Sequence, residues 1–272
     1  MTRRTLIVNP NASRVTDERI AEVEARLGPD ETLRTERRGH ATELAREAAG
    51  DEVWVLGGDG VVNEALNGIR DGVALGIIPA GGANVMARAL GARERRISVG
   101  RVNGRRFAFS AGIGVDSEVV RELETQQRAQ SGRRSSNLQY GRAVAGRLLR
   151  GSEPRLEVVG QGRAAAVFVA NDAVYTYAGR LPLRFLPEAR FELGLDFAAP
   201  VRVTPLSSAS LFTRVLAGRG MANVSGVLAG HDLDRIEVHC DVPLPLQADG
   251  EDLGDVREAI FKAERDAVTV LV

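Results

Sequence analysis

The sequence predicts an α/β fold joined to an all-β one: an N-terminal parallel-sheet domain and a C-terminal antiparallel β-sandwich domain. Two observations carry this. Over the first hundred residues, short apolar runs alternate with stretches of helical period, the pattern of a parallel sheet with helical crossovers. Beyond about residue 97 the helix signals thin, and short β-like runs punctuated by turn residues take over. The 272 residues are enough for two modest domains. The boundary is drawn softly within 91–100, giving 1–96 and 97–272, with the extreme C-terminal strand free to return to the first domain.

TLIV (5–8) reads as a short buried strand ended by Asn9-Pro10. Thr16 caps a helix whose first turn carries Asp17 and Glu18. Its Ile20, Val23 and Leu27 recur at helical spacing, and Gly28-Pro29 stops it. A second helix covers 41–49, with Ala41, Leu44, Ala45 and Ala48 on one face and Gly50 closing it. VWVL (53–56) is the next strand and 61–69 the next helix. LGII (75–78) is a strand broken by Pro79, and Gly81-Gly82 lead into a helix ending at Leu90-Gly91. The later strands are expected in RRFAFSAGIGV, RLEVVG, AAAVFVA, PLRFL, VRVT, RIEVHC, VPLPLQA and the terminal VTVLV. Helices interrupt this series at 116–150 and at about 207–218.

Composition narrows the function classes. Lys plus Arg and Asp plus Glu both count 36, so formal net charge is zero, which argues against a dedicated nucleic-acid binder. Cys240 is the only cysteine, which excludes an internal disulfide and a multi-cysteine zinc site. His40, His231 and His239 have no metal-ligand spacing with one another or with Cys240. The first residues hold too short an apolar run for a signal peptide, and no stretch approaches the ~20 apolar residues of a membrane span. A cytoplasmic protein is expected, touching membrane only at its inner surface.

Residues 53–68, VWVLGGDGVVNEALNG, run from strand through glycines into helix. That junction is a phosphate-binding device: glycines admit close backbone approach, and the helix start offers free N–H groups. It occurs twice, as GGDG (57–60) and as PAGGAN (79–84). In a parallel α/β fold both corners lie at the C-terminal edge of the sheet, where ligands bind. An acid there, Asp59, makes sense if Mg²⁺ arrives with a nucleotide. No GxxxxGK[ST] occurs, and Lys262, the only lysine, is far from any glycine loop, so a P-loop is excluded. GIGVDS (112–117) lacks the third glycine of a dinucleotide fingerprint.

IVNP (7–10), RTERRGHATELA (34–45), LGGDGVVNEALNGI (56–69), LGIIPAGGANVMARALG (75–91), SAGIGVDSEVV (110–120), VFVAND (167–172) and ADGEDLG (248–254) occur in that order. On this ordered set the chain resembles the diacylglycerol kinase catalytic-domain family, bacterial lipid kinases related to sphingosine kinases and more distantly to NAD kinases. The resemblance implies an ATP- and Mg²⁺-dependent lipid kinase of phospholipid metabolism. Its ATP site would be lined by Asn9, Thr35, Gly57, Gly58, Asp59, Gly60, Asn63 and Asn84. Asp59 would manage the metal through Mg·ATP, and Glu251 would be the general base, in the cleft of a two-domain fold. A carboxylate in reach of a lipid hydroxyl suits that role, since the hydroxyl is a poor nucleophile until its proton is taken. Read by itself, Asp249-Gly250-Glu251 is equally a β-turn with exposed acids.

The chain departs from the family at three places. Val61 stands where the family has Thr in GGDGT, and Gly82 where it has Thr in PxGTxN. In PEARFELGLDF (187–197) Leu193 stands where the family has an Asp that binds a structural Mg²⁺; leucine cannot ligate a hard cation, so that site is expected to be absent. These departures keep a second reading open, a nucleotide-binding protein of the same fold with weak or no kinase activity. A soluble-acceptor kinase related to NAD kinases is a third. Residues 125–150 carry six arginines and no acid, which reads either as a patch for anionic membrane or as a solvated helix and loop. Tyr175 and Tyr177 share a strand face, for packing or for acceptor contact. A lipid acceptor is the expected partner; the sequence leaves its identity and a homodimer open.

Overall fold

The computed structural model describes residues 2–91, 93–129, 151–178 and 181–272. The chain divides into two compact units. One comprises Met1–Val99, Arg105–Ala108 and Glu264–Val272; the other comprises Gly100–Gly104 and Phe109–Ala263.

The first unit begins with β1 (Arg4–Val8), α1 (Asp17–Leu27), β2 (Glu31–Arg34) and α2 (His40–Glu47). It continues with β3 (Glu52–Gly57), α3 (Asp59–Gly68), β4 (Ala74–Pro79) and α4 (Val85–Leu90). β1 pairs in parallel with β2 on one side and β3 on the other, and β3 pairs in parallel with β4. The last residues of the chain join this sheet: Val270 lies opposite Leu75 and Leu271 opposite Gly76, again parallel. The chain thus leaves β1 toward β2 and later returns to its other side with β3. That reversal is a topological switch point, and it opens a crevice at the carboxyl ends of β1 and β3.

Local chemistry sets the helix limits. The Thr16 side chain accepts the Arg19 N–H at 3.2 Å, Asp17 and Glu18 occupy the first turn of α1, and Gly28 closes it in the left-handed region (φ 60°). α1 lays Ile20 and Val23 onto Leu6, Val8, Leu56, Ile78 and Ala80 of the sheet. α3 starts two residues before the expected 61, because Gly58 is an extended cap (φ −103°, ψ −178°) from which the helix begins at once. α3 crosses α2 so closely that a Cβ on Gly68 would sit 2.0 Å from the Thr42 carbonyl oxygen. Gly68→Ala should therefore lower stability by about 1–3 kcal/mol or more, read from a denaturant midpoint at unchanged slope.

The strands that follow are β5 (Arg95–Val102), β6 (Arg105–Phe107) and β7 (Ser110–Ile113), and then comes α5 (Val115–Ala129). After it come β8 (Leu156–Val158), β9 (Gly162–Ala164), β10 (Val167–Ala170), β11 (Val174–Ala178) and β12 (Leu181–Arg184). The remainder is β13 (Leu195–Pro200), α6 (Pro205–Leu216), β14 (Val227–Leu233), β15 (Arg235–Ala248) and β16 (Glu251–Leu271). In the second unit the ladder order β14-β13-β10-β7-β15-β16 is antiparallel throughout. β8 pairs β15 and β9, and β11 with β12 forms a separate hairpin. The mixed architecture expected from the sequence, parallel first and antiparallel after, is what the chain adopts. α5 opens at the expected place; the arginine-rich stretch from residue 130 to 150 lies outside the described residues.

α6 is fixed by a capping box: Thr204 accepts the Ser207 N–H at 3.1 Å and donates its own backbone N–H to Ser207 Oγ at 2.9 Å, with Pro205 in the first turn. Its inner face, with Val215, packs on Ala170, Leu186, Ala189, Ala198 and Met221.

Near Leu193 the backbone is tied by its own turn, Leu193 N–H to Arg190 O at 3.0 Å, and Gly194 N–H meets Asp232 Oδ1 at 2.7 Å. Asp196 is buried; it accepts the Asp232 N–H at 3.0 Å and meets His231 Nδ1 at 2.9 Å. That hydrogen bond, helped by the charges of Asp196, Glu188 and Asp232, raises the His231 imidazole above its ordinary value. A raised histidine favours folding while it is protonated. The stability advantage of wild type over His231→Ala is therefore expected in full below about pH 6.5 and lost as pH rises through the raised value, which thermal melts across pH 5–9 would record.

Candidate active site

The two glycine corners touch. Gly57 ends β3 opposite Pro79 of β4, and the Ala80 N–H donates to Gly57 O at 2.7 Å. A Cβ on Gly81 would lie 2.5 Å from Gly58 Cα, and one on Gly58 would lie 3.1 Å from Gly81 Cα. A side chain at Gly81 would force the two backbones apart, and one at Gly58 would be tight. A Cβ on Gly57 would meet Val61 Cγ1 at 2.2 Å. Val61 is itself buried, so the valine that replaces the family's threonine packs down on the first corner.

Asn84 braces the second corner. It sits in the left-handed region (φ 48°), tolerated by asparagine. Its Oδ1 accepts the Gly81 N–H and its Nδ2 donates to the Gly81 carbonyl, both at 2.9 Å. Its amide is thus engaged in shaping the loop. Asp59, first residue of α3, turns toward the same corner: its Oδ1 accepts the Met86 N–H at 3.3 Å, in the first turn of α4. Burial pushes the Asp59 carboxyl above the usual carboxylate range, against the backbone N–H groups of residues 84–86 that pull it down. One acid therefore ties the start of α3 to the start of α4.

At the switch point lies a pocket of about 300 Å³ lined by Asn9, Asn11, Thr35, Glu36, Arg37, Arg38, Gly60, Val61 and Glu64. Each comes from a carboxyl-end loop of β1 or β2, or from the first turns of α3. Asn9 Oδ1 accepts the Asn11 N–H at 3.0 Å, turning the chain away after β1. Thr35 is held by its backbone N–H to Val8 O at 2.9 Å. Glu64 is buried, and its Oε2 accepts the Ala41 N–H at 3.2 Å at the start of α2. His40 Nδ1 accepts the Glu36 N–H at 3.1 Å, so this ring fixes the loop that carries Arg37 and Arg38.

The structure brings together Asn9, Thr35 and Gly60 in this pocket, with Gly57, Gly58, Asp59 and Asn84 at the adjoining corners. It does not bring Asn63 to the pocket wall. That residue is 1% exposed; its Oδ1 accepts from Arg105 Nη2 at 2.8 Å and Asn67 Nδ2 donates to it at 3.3 Å. Asn11, Arg37, Arg38 and Glu64 are pocket residues that sequence reasoning did not single out. RTERRGH did carry a signal, in two adjacent arginines beside Thr35. Glu64 carried one too, lying one helical turn after Gly60.

Glu251 belongs to the second unit. It opens β16 directly after Asp249 (φ 48°) and Gly250 (φ 81°), a two-residue hairpin turn with both centres left-handed. Asp249 is no exposed turn acid: its Oδ1 accepts the N–H groups of Phe109 and Ser110 at 3.0 and 3.1 Å. Gln247 Oε1 accepts the Gly250 N–H at 3.0 Å. Asp252 takes both Arg121 Nε and Nη2, at 2.7 and 2.9 Å. Glu251, half-buried, is thus held in place by its neighbours. His239 is exposed beside Glu237 and Glu258, their ligand atoms within 4.8 Å of one another, with Glu237 already paired to Arg235. On the opposite strand face, burial pushes the Cys240 thiol up to about 11, leaving no nucleophile at neutral pH.

The second unit also holds an apolar cavity of about 160 Å³, between α5, α6 and the β11–β12 hairpin. Val115, Val119, Phe168, Leu183, Phe185 and Leu211 are among its walls. Tyr175 stacks on Phe185 with ring centres 4.3 Å apart and lines the cavity.

A model of the diacylglycerol kinase catalytic domain matches residues 3–104. Over this part the chain is similar to that family. Across 158 residues the chain is 32% identical to the diacylglycerol kinase of Bacillus subtilis (strain 168), covering 48% of this chain and 52% of that one. It therefore spans about half the length of that curated relative. A 77-residue stretch is 38% identical to sphingoid long-chain bases kinase 1 of Arabidopsis thaliana, covering 24% of this chain and 10% of that one. Among solved structures, a diacylglycerol kinase from Bacillus anthracis superposes with a TM-score of 0.72 at 21% identity, over 99% of this chain and 96% of that one. An NAD kinase from Archaeoglobus fulgidus in complex with ATP gives 0.51 at 14% identity, over 99% and 93%. These last two likenesses show a shared fold. Among the described residues no helix is long and apolar enough to cross a membrane.

Proposed function

We propose that the protein transfers the γ-phosphoryl group of ATP to a hydroxyl of a lipid. The observation that carries this reading is the pair of glycine corners in backbone contact beside a polar pocket at the switch point. Asn9, Thr35 and the Gly60 backbone would hold the nucleotide, and Arg37 and Arg38 offer positive charge on the pocket wall. The corners' N–H groups would receive phosphate oxygens. Mg²⁺, held with the nucleotide at Asp59, would neutralise charge on the transferred group. Glu251 would take the hydroxyl proton as the lipid oxygen forms its bond to phosphorus and the bond to the ADP oxygen breaks. The apolar cavity of the second unit favours a lipid over a soluble acceptor. The relatives' names leave the choice between diacylglycerol and long-chain base open.

Incubation with labelled ATP, Mg²⁺ and a lipid extract tests the reading directly. A labelled lipid product is expected, and its absence with correctly folded protein would overturn it. A second reading, nucleotide binding with weak turnover, is favoured by the missing hydroxyls at Val61 and Gly82. Gly82 is exposed, the place to restore the hydroxyl as Gly82→Thr. One restored hydrogen bond to a charged group amounts to about 1.5–3 kcal/mol, so this variant should bind ATP some tenfold or more tightly in a calorimetric titration.

A further inference from the structure

We infer that the outer face of α6 is a docking surface for an anionic lipid bilayer. This goes beyond the proposed reaction and rests on different residues. Leu206, Phe212 and Leu216 of α6 are 83, 52 and 45% exposed, and Leu181 at the start of β12 is 49% exposed. Single exposed leucines are ordinary on a protein surface, but a cluster of large apolar side chains marks an interaction site. Leu206, Phe212 and Leu216 share the exposed side of α6, and Phe212 also lines the apolar cavity. Ser207, Leu211, Phe212 and Val215 of α6 and Leu183 of β12 form its wall. Phe212 lies on both surfaces, so apolar surface continues from solvent into the interior.

Charge selects the occupant. Between Asp196 and Asp232 the chain contains Arg202, Arg214 and Arg219 and no acidic residue. Arg219 is exposed just beyond α6, and Arg214 donates to the Gly220 carbonyl at 3.2 Å. Arg202 meets Glu153 at 3.2 Å, both largely exposed. Apolar side chains projecting from one short helix, with arginines before it, within it and just after it in the chain and no acid in that segment, match the acyl–headgroup boundary of an anionic leaflet. A lipid leaving that leaflet would find the cavity mouth facing it.

The test uses the intact chain and sedimentation with phosphatidylcholine vesicles, with and without phosphatidylserine. Binding only to the phosphatidylserine vesicles, weakened by salt, is expected. Leu206→Glu/Leu216→Glu should bind at least tenfold more weakly, and Arg219→Ala about fivefold. Both variants should keep the wild-type melting temperature and ATP-dependent stabilisation, since none of the three residues lines the cavity or the nucleotide pocket. Phosphorylation of detergent-dispersed lipid, measured in parallel, isolates failure of the kinase reading, which would leave sedimentation unchanged. No binding by wild type overturns the inference. So does undiminished binding by the double glutamate variant, which would move the contact elsewhere, residues 125–150 included. Loss of self-association in that variant without loss of vesicle binding would make the face a protein interface instead.

Discussion

Glu251→Gln should cut lipid phosphorylation by about 10²–10⁴-fold, the span ascribed to a positioned general base. Nucleotide-dependent thermal stabilisation should be unchanged. Glutamine keeps the shape and removes only the capacity to accept the hydroxyl proton. The turn that carries the side chain does not depend on it. Asp249 binds Phe109 and Ser110, Gln247 binds Gly250, and Asp252 is clasped by Arg121. Initial-rate assays with labelled ATP, run beside melting curves, separate a chemical loss from a folding loss. Activity within a few fold of wild type would remove Glu251 from the reaction.

Asp59 should show the other large effect, and two variants divide it. Asp59→Ala removes both the proposed metal-binding charge and the acceptor for the Met86 N–H, so activity should fall by two to three orders of magnitude and the melting temperature should fall too. Asp59→Asn should lose the activity alone, because an amide oxygen can still accept that N–H. The pH dependence follows from the raised carboxyl. A carboxyl whose folded value is raised favours the native state while protonated, and this advantage is lost as pH rises through the raised value. At neutral pH Asp59→Asn should therefore be at least as stable as wild type. Binding of Mg·ATP needs the ionised form, so as pH falls it should weaken at a higher pH than an ordinary Asp would give. Equal melting temperatures for the Ala and Asn variants would show that the hydrogen bond to Met86 does not stabilise the fold.

Much of the fold could be read directly. α1 was legible because its signals are local: a threonine cap, acids in the first turn, apolar spacing and a glycine stop. The inner strands β1, β3 and β4 were legible because burial on both faces demands continuous apolar runs. Others were not, the buried β13 (LDFAAP) among them. β2 is ETLR, an edge with exposed ends; β5, paired with both β16 and β6, opens with two arginines; β14 is the outermost strand of its ladder, its apolar run broken by Gly230, His231 and Asp232. Edge strands owe their conformation to the neighbour's hydrogen-bonding ladder more than to their own residues, so pattern alone passes over them.

The site divides the same way. The amino-acid sequence by itself determined that two glycine-rich strand–helix junctions exist and that Asp59 stands at one, because the freedom of glycine and the start of a helix are local properties. It also determined the hairpin turn before Glu251, through Asp249-Gly250. Only the tertiary structure decided what the polar side chains there do. Asn84 bonds Gly81, Asp59 reaches Met86, and Asn63 turns from the pocket to Arg105, 42 residues away. A hydrogen bond needs its partner within about 3 Å, and packing, not spacing along the chain, brings that partner near.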